Sequence, residues 1–118
     1  MATARLHDGR LVDTTSEDFR HECEAKMLMG LPDLATRREW LEKIAQKRGT
    51  ADRERLERTI SAIRLHEQAA RIISLPDRAA RLEYLDEVEY QQGGAARREL
   101  ERKARELWDA RKAKASLQ

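Results

Sequence analysis

His21-Glu22-Cys23-Glu24 is the densest group of metal-capable side chains in the chain. On a helix, His21 and Glu24 share a face and Cys23 points elsewhere. Asp18, three residues before His21, adds one more donor to that side. A catalytic metal site needs three protein ligands and outer groups that orient them. The stretch therefore reads as an ordinary amphipathic helix carrying a small buried thiol at Cys23. His66 and Glu67 offer a second histidine–acid pair, and His66, three residues after Ile63, reads as a histidine flanking a core. No nucleophile is flanked by glycines, no glycine loop is built to cradle phosphate, and no paired carboxylates lie in an apolar setting. Gly93-Gly94 reads as a break between helices. These residues assign no catalytic role, no metal and no cofactor, and the chain is expected not to be an enzyme.

Two other sets of residues are suited to contact. Trp40 and Tyr84 are each followed by leucine. They fit repeated core packing or a pair of interaction anchors, since Trp, Tyr and Arg dominate binding hot spots. Arg37 and Arg81 follow Asp33 and Asp77 by four residues, an acid-first spacing that steadies the first turn of a helix. With the two aromatics they form the candidate protein-interaction set. Arg98, Arg102 and Arg105 share a face and form the candidate nucleic-acid set. Residues 95–118 carry a net charge of +4 and residues 75–94 a net charge of −3. An acidic fourth helix and a basic fifth would complement each other within the chain, and no stacking aromatics interleave the basic run.

The elements that position these residues follow from composition and repetition. Ala, Glu, Lys, Leu and Arg make up 69 of 118 residues, above the level that signals long helices. Two valines and two prolines argue against a β-sandwich or barrel. Both prolines lie in Leu-Pro-Asp triplets, Leu31-Pro32-Asp33 and Leu75-Pro76-Asp77, at an offset of 44 residues. The same offset pairs Trp40 with Tyr84, Leu41 with Leu85, Gly49 with Gly93, Arg53 with Arg97 and Leu56 with Leu100. Each unit reads as helix, glycine break, helix. Pro and Asp suit a helix start, and Gly49 and Gly93 suit the left-handed residue that ends one.

The spacing predicts helices over 33–48, 51–73, 77–92 and 95–114. The inward stripes are Leu56, Ile60, Ile63 and Leu100, Ala104, Leu107. Another helix spans 16–29, with Thr15 or Ser16 as its N-cap. At the same offset Phe19, Ala25 and Leu28 match Ile63, Ala69 and Ile72, so this helix resembles the remnant of a preceding unit. Residues 1–15 form a flexible arm or a short hairpin turning at Asp8-Gly9. The expected fold is all-α, one compact helical domain over 1–118. It has about five helices: an N-terminal helix (16–30) and two repeat units (31–74 and 75–118).

Charge and targeting narrow the partners. Twenty-four basic and 22 acidic side chains leave +2. A dedicated non-specific DNA binder shows a concentrated excess of one sign. The single cysteine cannot close a disulfide within the chain. No apolar run reaches the length of a membrane span, and the first residues lack the apolar core of a signal peptide. The expectation is a cytoplasmic protein with no membrane partner. The modest core of a chain with 39% charged residues is compatible with pairing to a second copy.

His7-Asp8-Gly9-Arg10, Ser16 through Ala25, and Leu31-Pro32-Asp33 through Trp40-Leu41 to Arg48-Gly49 resemble small uncharacterised proteins from phages and prophages of Gram-negative bacteria. The resemblance covers about residues 7–60 and implies a phage accessory protein acting in the bacterial cytoplasm. It implies no activity. The expected function is non-enzymatic binding of a host protein or defence complex, in the manner of anti-CRISPR inhibitors or another host-directed inhibitor. The alternatives are a nucleic-acid-binding regulator using the Arg98-Arg102-Arg105 face, and a structural or assembly role in the virion.

Overall fold

The computed structural model describes residues 2–117. Two short strands, β1 (Thr3–Arg5) and β2 (Leu11–Asp13), precede five helices: α1 (Glu17–Met29), α2 (Leu34–Arg48), α3 (Thr50–Ser74), α4 (Arg78–Gln92) and α5 (Gly94–Ser116). The protein is all-α apart from this hairpin. The strands pair antiparallel with Ala4 opposite Val12, and the connection turns at Gly9, whose φ is 91°. Isolated hairpins are marginal in water. This one is anchored by Leu6, which is 5% exposed, and by Glu22 of α1, which accepts from the His7 backbone N–H.

Each helix begins and ends where its punctuation dictates. Ser16 caps α1 by accepting from Phe19 N–H, and Asp33 and Asp77 cap α2 and α4 by accepting from Thr36 and Ala80 N–H. A side-chain oxygen here satisfies one of the donors that a helix start leaves open. The two aspartates thus steady the first turns as caps, a different role from the side-chain pairing with Arg37 and Arg81 expected from spacing. Gly49 and Gly93 separate α2 from α3 and α4 from α5 with φ of 98° and 94°. Their ψ values of 162° and 170° lie outside the left-handed helical region expected from sequence. They fall in a positive-φ extended region open to little but glycine.

Two apolar cores form. One comprises Ala25, Leu28, Leu41, Ile44, Leu56, Ile60 and Ile63. The other comprises Ala69, Ile72, Leu85, Val88, Leu100 and Ala104, with Leu107 half-buried against it. Taken in order, every member of the first has its counterpart 44 residues on. The chain divides into two compact units, the first ending at Ile63 and the second beginning at Arg64. The single domain expected from sequence thus resolves into two units, and the boundary falls inside α3 instead of between residues 74 and 75. The reason lies in α3 itself. Its first half supplies Leu56, Ile60 and Ile63 to one core, and its second half supplies Ala69 and Ile72 to the other, in the role α1 plays for the first.

Candidate protein-interaction groove

Within the first unit, a cleft of about 270 Å³ is lined by Arg20, His21, Glu24, Arg48, Asp52 and Arg55, among others. Its cations are already engaged. Arg48 pairs with Glu24 at 2.9 Å and approaches Asp52 at 3.8 Å, and Arg55 lies 3.7 Å from both Glu17 and Asp18. Arg20 donates to Thr15 O, and His21 Nε2 bonds to Thr59 Oγ1 at 2.7 Å. Burial and then the nearby Arg55 guanidinium lower the His21 pKa. Thr59 in turn donates to Arg55 O, so it accepts from His21 and fixes the Nε2–H tautomer. The cleft is a self-neutralised ion network. Among the described residues no three His, Cys, Asp or Glu side chains are grouped to hold a metal.

Cys23 is exposed, in contrast to the buried thiol expected from sequence. The inward face of α1 runs through Glu22, Ala25 and Leu28, which turns position 23 outward. Glu22 is the buried side chain of the quartet, 5% exposed. It accepts from His7 N–H at 2.9 Å and from the His7 ring Nδ1, with Lys26 at 3.5 Å. This constellation is a tether for the hairpin.

Charge complementarity between α4 and α5 is concentrated on Arg97. It bonds to Asp86 at 2.6 Å, Glu89 at 2.9 Å and Glu101 at 2.9 Å, and these bonds, that to Asp86 foremost, hold its pKa above the ordinary arginine value. Arg53 does the same 44 residues earlier, bonding to Glu42 and Glu57. Of the three arginines proposed to meet phosphate, Arg102 bonds to Glu106, whose other oxygen lies 3.8 Å from Lys103. Arg102 is thus paired within its own helix.

The candidate anchors separate. Trp40 is 44% exposed, with Lys43 Nζ 5.8 Å from its ring centroid. Tyr84 is half-buried against the second core. Arg37 donates through Nε to Leu28 O at 3.1 Å and through a terminal nitrogen to Met29 O at 3.3 Å, closing the C-terminal end of α1. Arg81 behaves differently. It lines a groove of about 320 Å³ with Ile72, Ile73, Ala104, Arg105 and Trp108, all in the second unit. Ile72 and Ile73 come from the last turn of α3, Arg81 from the first turn of α4, and the other three from one face of α5. Trp108 is 42% exposed, and Lys112 Nζ stands 5.4 Å from its ring centroid.

Arg81 and Arg105 therefore meet in one place although sequence put them in different sets. Trp108 and Ile73 were missed. A legible signal was the register. Ala104 stands in the core position that Ile60 holds in the first unit, and Trp108 lies one turn beyond it, off the inward stripe.

Fold and groove together define an all-α protein with an N-terminal hairpin and two three-helix units of matching core positions, the second of which carries an open, arginine-rimmed apolar groove. Residues 12–68 match a family of unknown function, DUF7696. That span begins within β2, runs through the first unit and ends five residues past Ile63, so every residue lining the groove lies outside it. No curated protein and no solved structure matches the chain. Among the described residues no helix is long and apolar enough to cross a membrane.

Proposed function

We propose that this chain is a non-enzymatic protein-binding module that docks its partner in the groove of the second unit. The supporting observation is one juxtaposition. An apolar floor of Ile72, Ile73 and Ala104 lies beside a half-exposed indole and two guanidiniums. Large aromatic and arginine side chains beside a pocket are the composition of interface hot spots. The setting implied by the phage-protein resemblance makes the partner a bacterial host protein, and engaging it by occlusion needs no chemistry.

The test is stoichiometric co-purification of one defined host protein with the full chain, followed by substitution. Trp108→Ala is expected to cut affinity at least tenfold with an unchanged circular dichroism spectrum, while Trp40→Ala leaves it intact. Affinity unchanged by Trp108→Ala would overturn the reading. Binding to duplex DNA that falls steeply with salt and is lost in the Arg98, Arg102, Arg105 triple alanine variant would replace it with the nucleic-acid reading.

A further inference from the structure

We infer that the groove accepts a branched aliphatic side chain flanked by a carboxylate, both supplied by the partner protein. This rests on the docking reading and specifies the chemistry of its occupant. The argument comes from the repeat, because the first unit shows what the same register looks like when filled. There, Ile60 is 5% exposed and belongs to the same core cluster as Leu28, while Arg37 spends its guanidinium on the last carbonyls of α1. In the second unit the counterpart of Ile60 is Ala104, three carbons smaller, and the counterpart of Leu28 is Ile72.

Three differences follow at this place. A groove opens over Ile72, Ile73 and Ala104. Arg81, the counterpart of Arg37, makes no side-chain hydrogen bond or ion pair among the described residues, and neither does Arg105 beside it. Trp108 rises at the groove edge. The missing volume is that of an isoleucine side chain beyond its β-carbon, so a Leu or Ile from outside restores the packing of the first unit.

The two guanidiniums set the second requirement. Each presents planar, forked donors that match a carboxylate. An Asp or Glu next to the guest aliphatic residue completes the site. Residues 64–118 carry a net charge of +2 and residues 1–63 carry none, so such an acidic partner is steered toward this unit. A basic or purely apolar segment would leave the arginines desolvated without a counter-charge.

The experiment uses the full chain in a Trp40→Phe background, so that Trp108 is the only indole. Three synthetic helical peptides are titrated: one of Leu and Glu, one with Lys for every Glu, and one with Ala for every Leu. The Leu–Glu peptide is expected to bind, shift the Trp108 emission and lose at least tenfold in affinity when Ala104→Ile fills the groove. That substitution should leave the melting temperature unchanged or higher. If Ala104→Ile impairs folding, the surface variant Arg105→Glu is expected to produce the same loss.

Equal binding of the Leu–Glu and Lys peptides, or of the Leu–Glu and Ala peptides, overturns the inference. If Ala104→Ile still blocks that binding, the docking reading survives. Failure of all three peptides to bind overturns the inference, and Trp108→Ala in the partner assay decides the docking reading separately. A single-stranded oligonucleotide that binds as tightly, undiminished by Ala104→Ile, assigns the two arginines to nucleic acid and overturns it as well.

Discussion

Glu22 and His21 are neighbours on α1 with opposite relations to charge. Burial works to raise the Glu22 pKa, but the His7 amide and ring bonds and the nearby Lys26 outweigh it and hold the carboxyl below its usual range. A carboxyl whose folded pKa lies below its unfolded value contributes stability above about pH 4.3, and loses it as pH falls through the folded value. For His21 the folded pKa is lowered, so stability is full above about pH 6.5 and falls as the unfolded chain takes up a proton below it. Acid unfolding followed by urea midpoints should therefore show two limbs. His21→Gln is expected to remove the upper one. Glu22→Gln should shrink the lower, to which Asp8, Asp13 and Asp33 with their lowered pKa values also contribute, and destabilise the protein by about 1–3 kcal/mol, because it weakens a buried charged acceptor. A wild-type profile flat between pH 7 and 5 would contradict the first assignment. Little of this was legible beforehand. Spacing groups His21 and Glu22 as a local cluster, whereas the bonds that define them reach Thr59 and His7, and local spacing carries no record of partners 38 and 15 residues away.

At the scale of the element, the reading from sequence and the structure nearly coincide. Proline, aspartate and glycine act through their own backbone preferences, and the predicted helices end within about two residues of the observed ones. Gly49 and Gly93 give the sharpest test. A β-carbon at either would meet nothing within 4 Å, so an alanine there is penalised by its φ alone. Gly49→Ala and Gly93→Ala should each cost about 1–3 kcal/mol, measured as a fall in thermal midpoint. A neutral outcome at either would mean that the one-residue break tolerates another conformation. Sequence alone does not decide between order and disorder for the hairpin, and the reason is physical. Three-residue strands do not hold themselves together, and what holds these is the burial of Leu6 and the carboxylate of Glu22, contributions from outside the hairpin's own pairing.

At the scale of the whole molecule, the 44-residue period was visible but its phase was not. The prolines and glycines mark connections, whereas the cores are marked by alanines and leucines within helices, and only packing shows that α3 serves two of them. Leu56 and Leu100 are each 1% exposed at the centres of equivalent cores. Leu100→Ala should cost about 2–5 kcal/mol. In hydrogen exchange the loss of protection should concentrate in α4, α5 and the second half of α3, with α1 and α2 retaining theirs. Uniform deprotection along the chain would show that the two cores open together. The groove was hidden for a related reason. Its lining brings together residues of α3, α4 and α5, and that convergence becomes visible only when the packing of the three is known.

The placement of the unit boundary within α3 has a consequence for how such a chain can grow. A duplication that begins and ends in mid-helix needs no new loop, because each joint is continuous helix and every turn is copied whole with its proline, cap and glycine. Residues 20–63 and 64–107 have the same length and the same succession of core positions. A further copy of 20–63 placed after Ile63 would meet at both of its ends the residues its own register expects. Once a unit exists in two copies, one can keep the packing while the other gives up a side chain. Positions 60 and 104, isoleucine in one unit and alanine in the other, differ in that way.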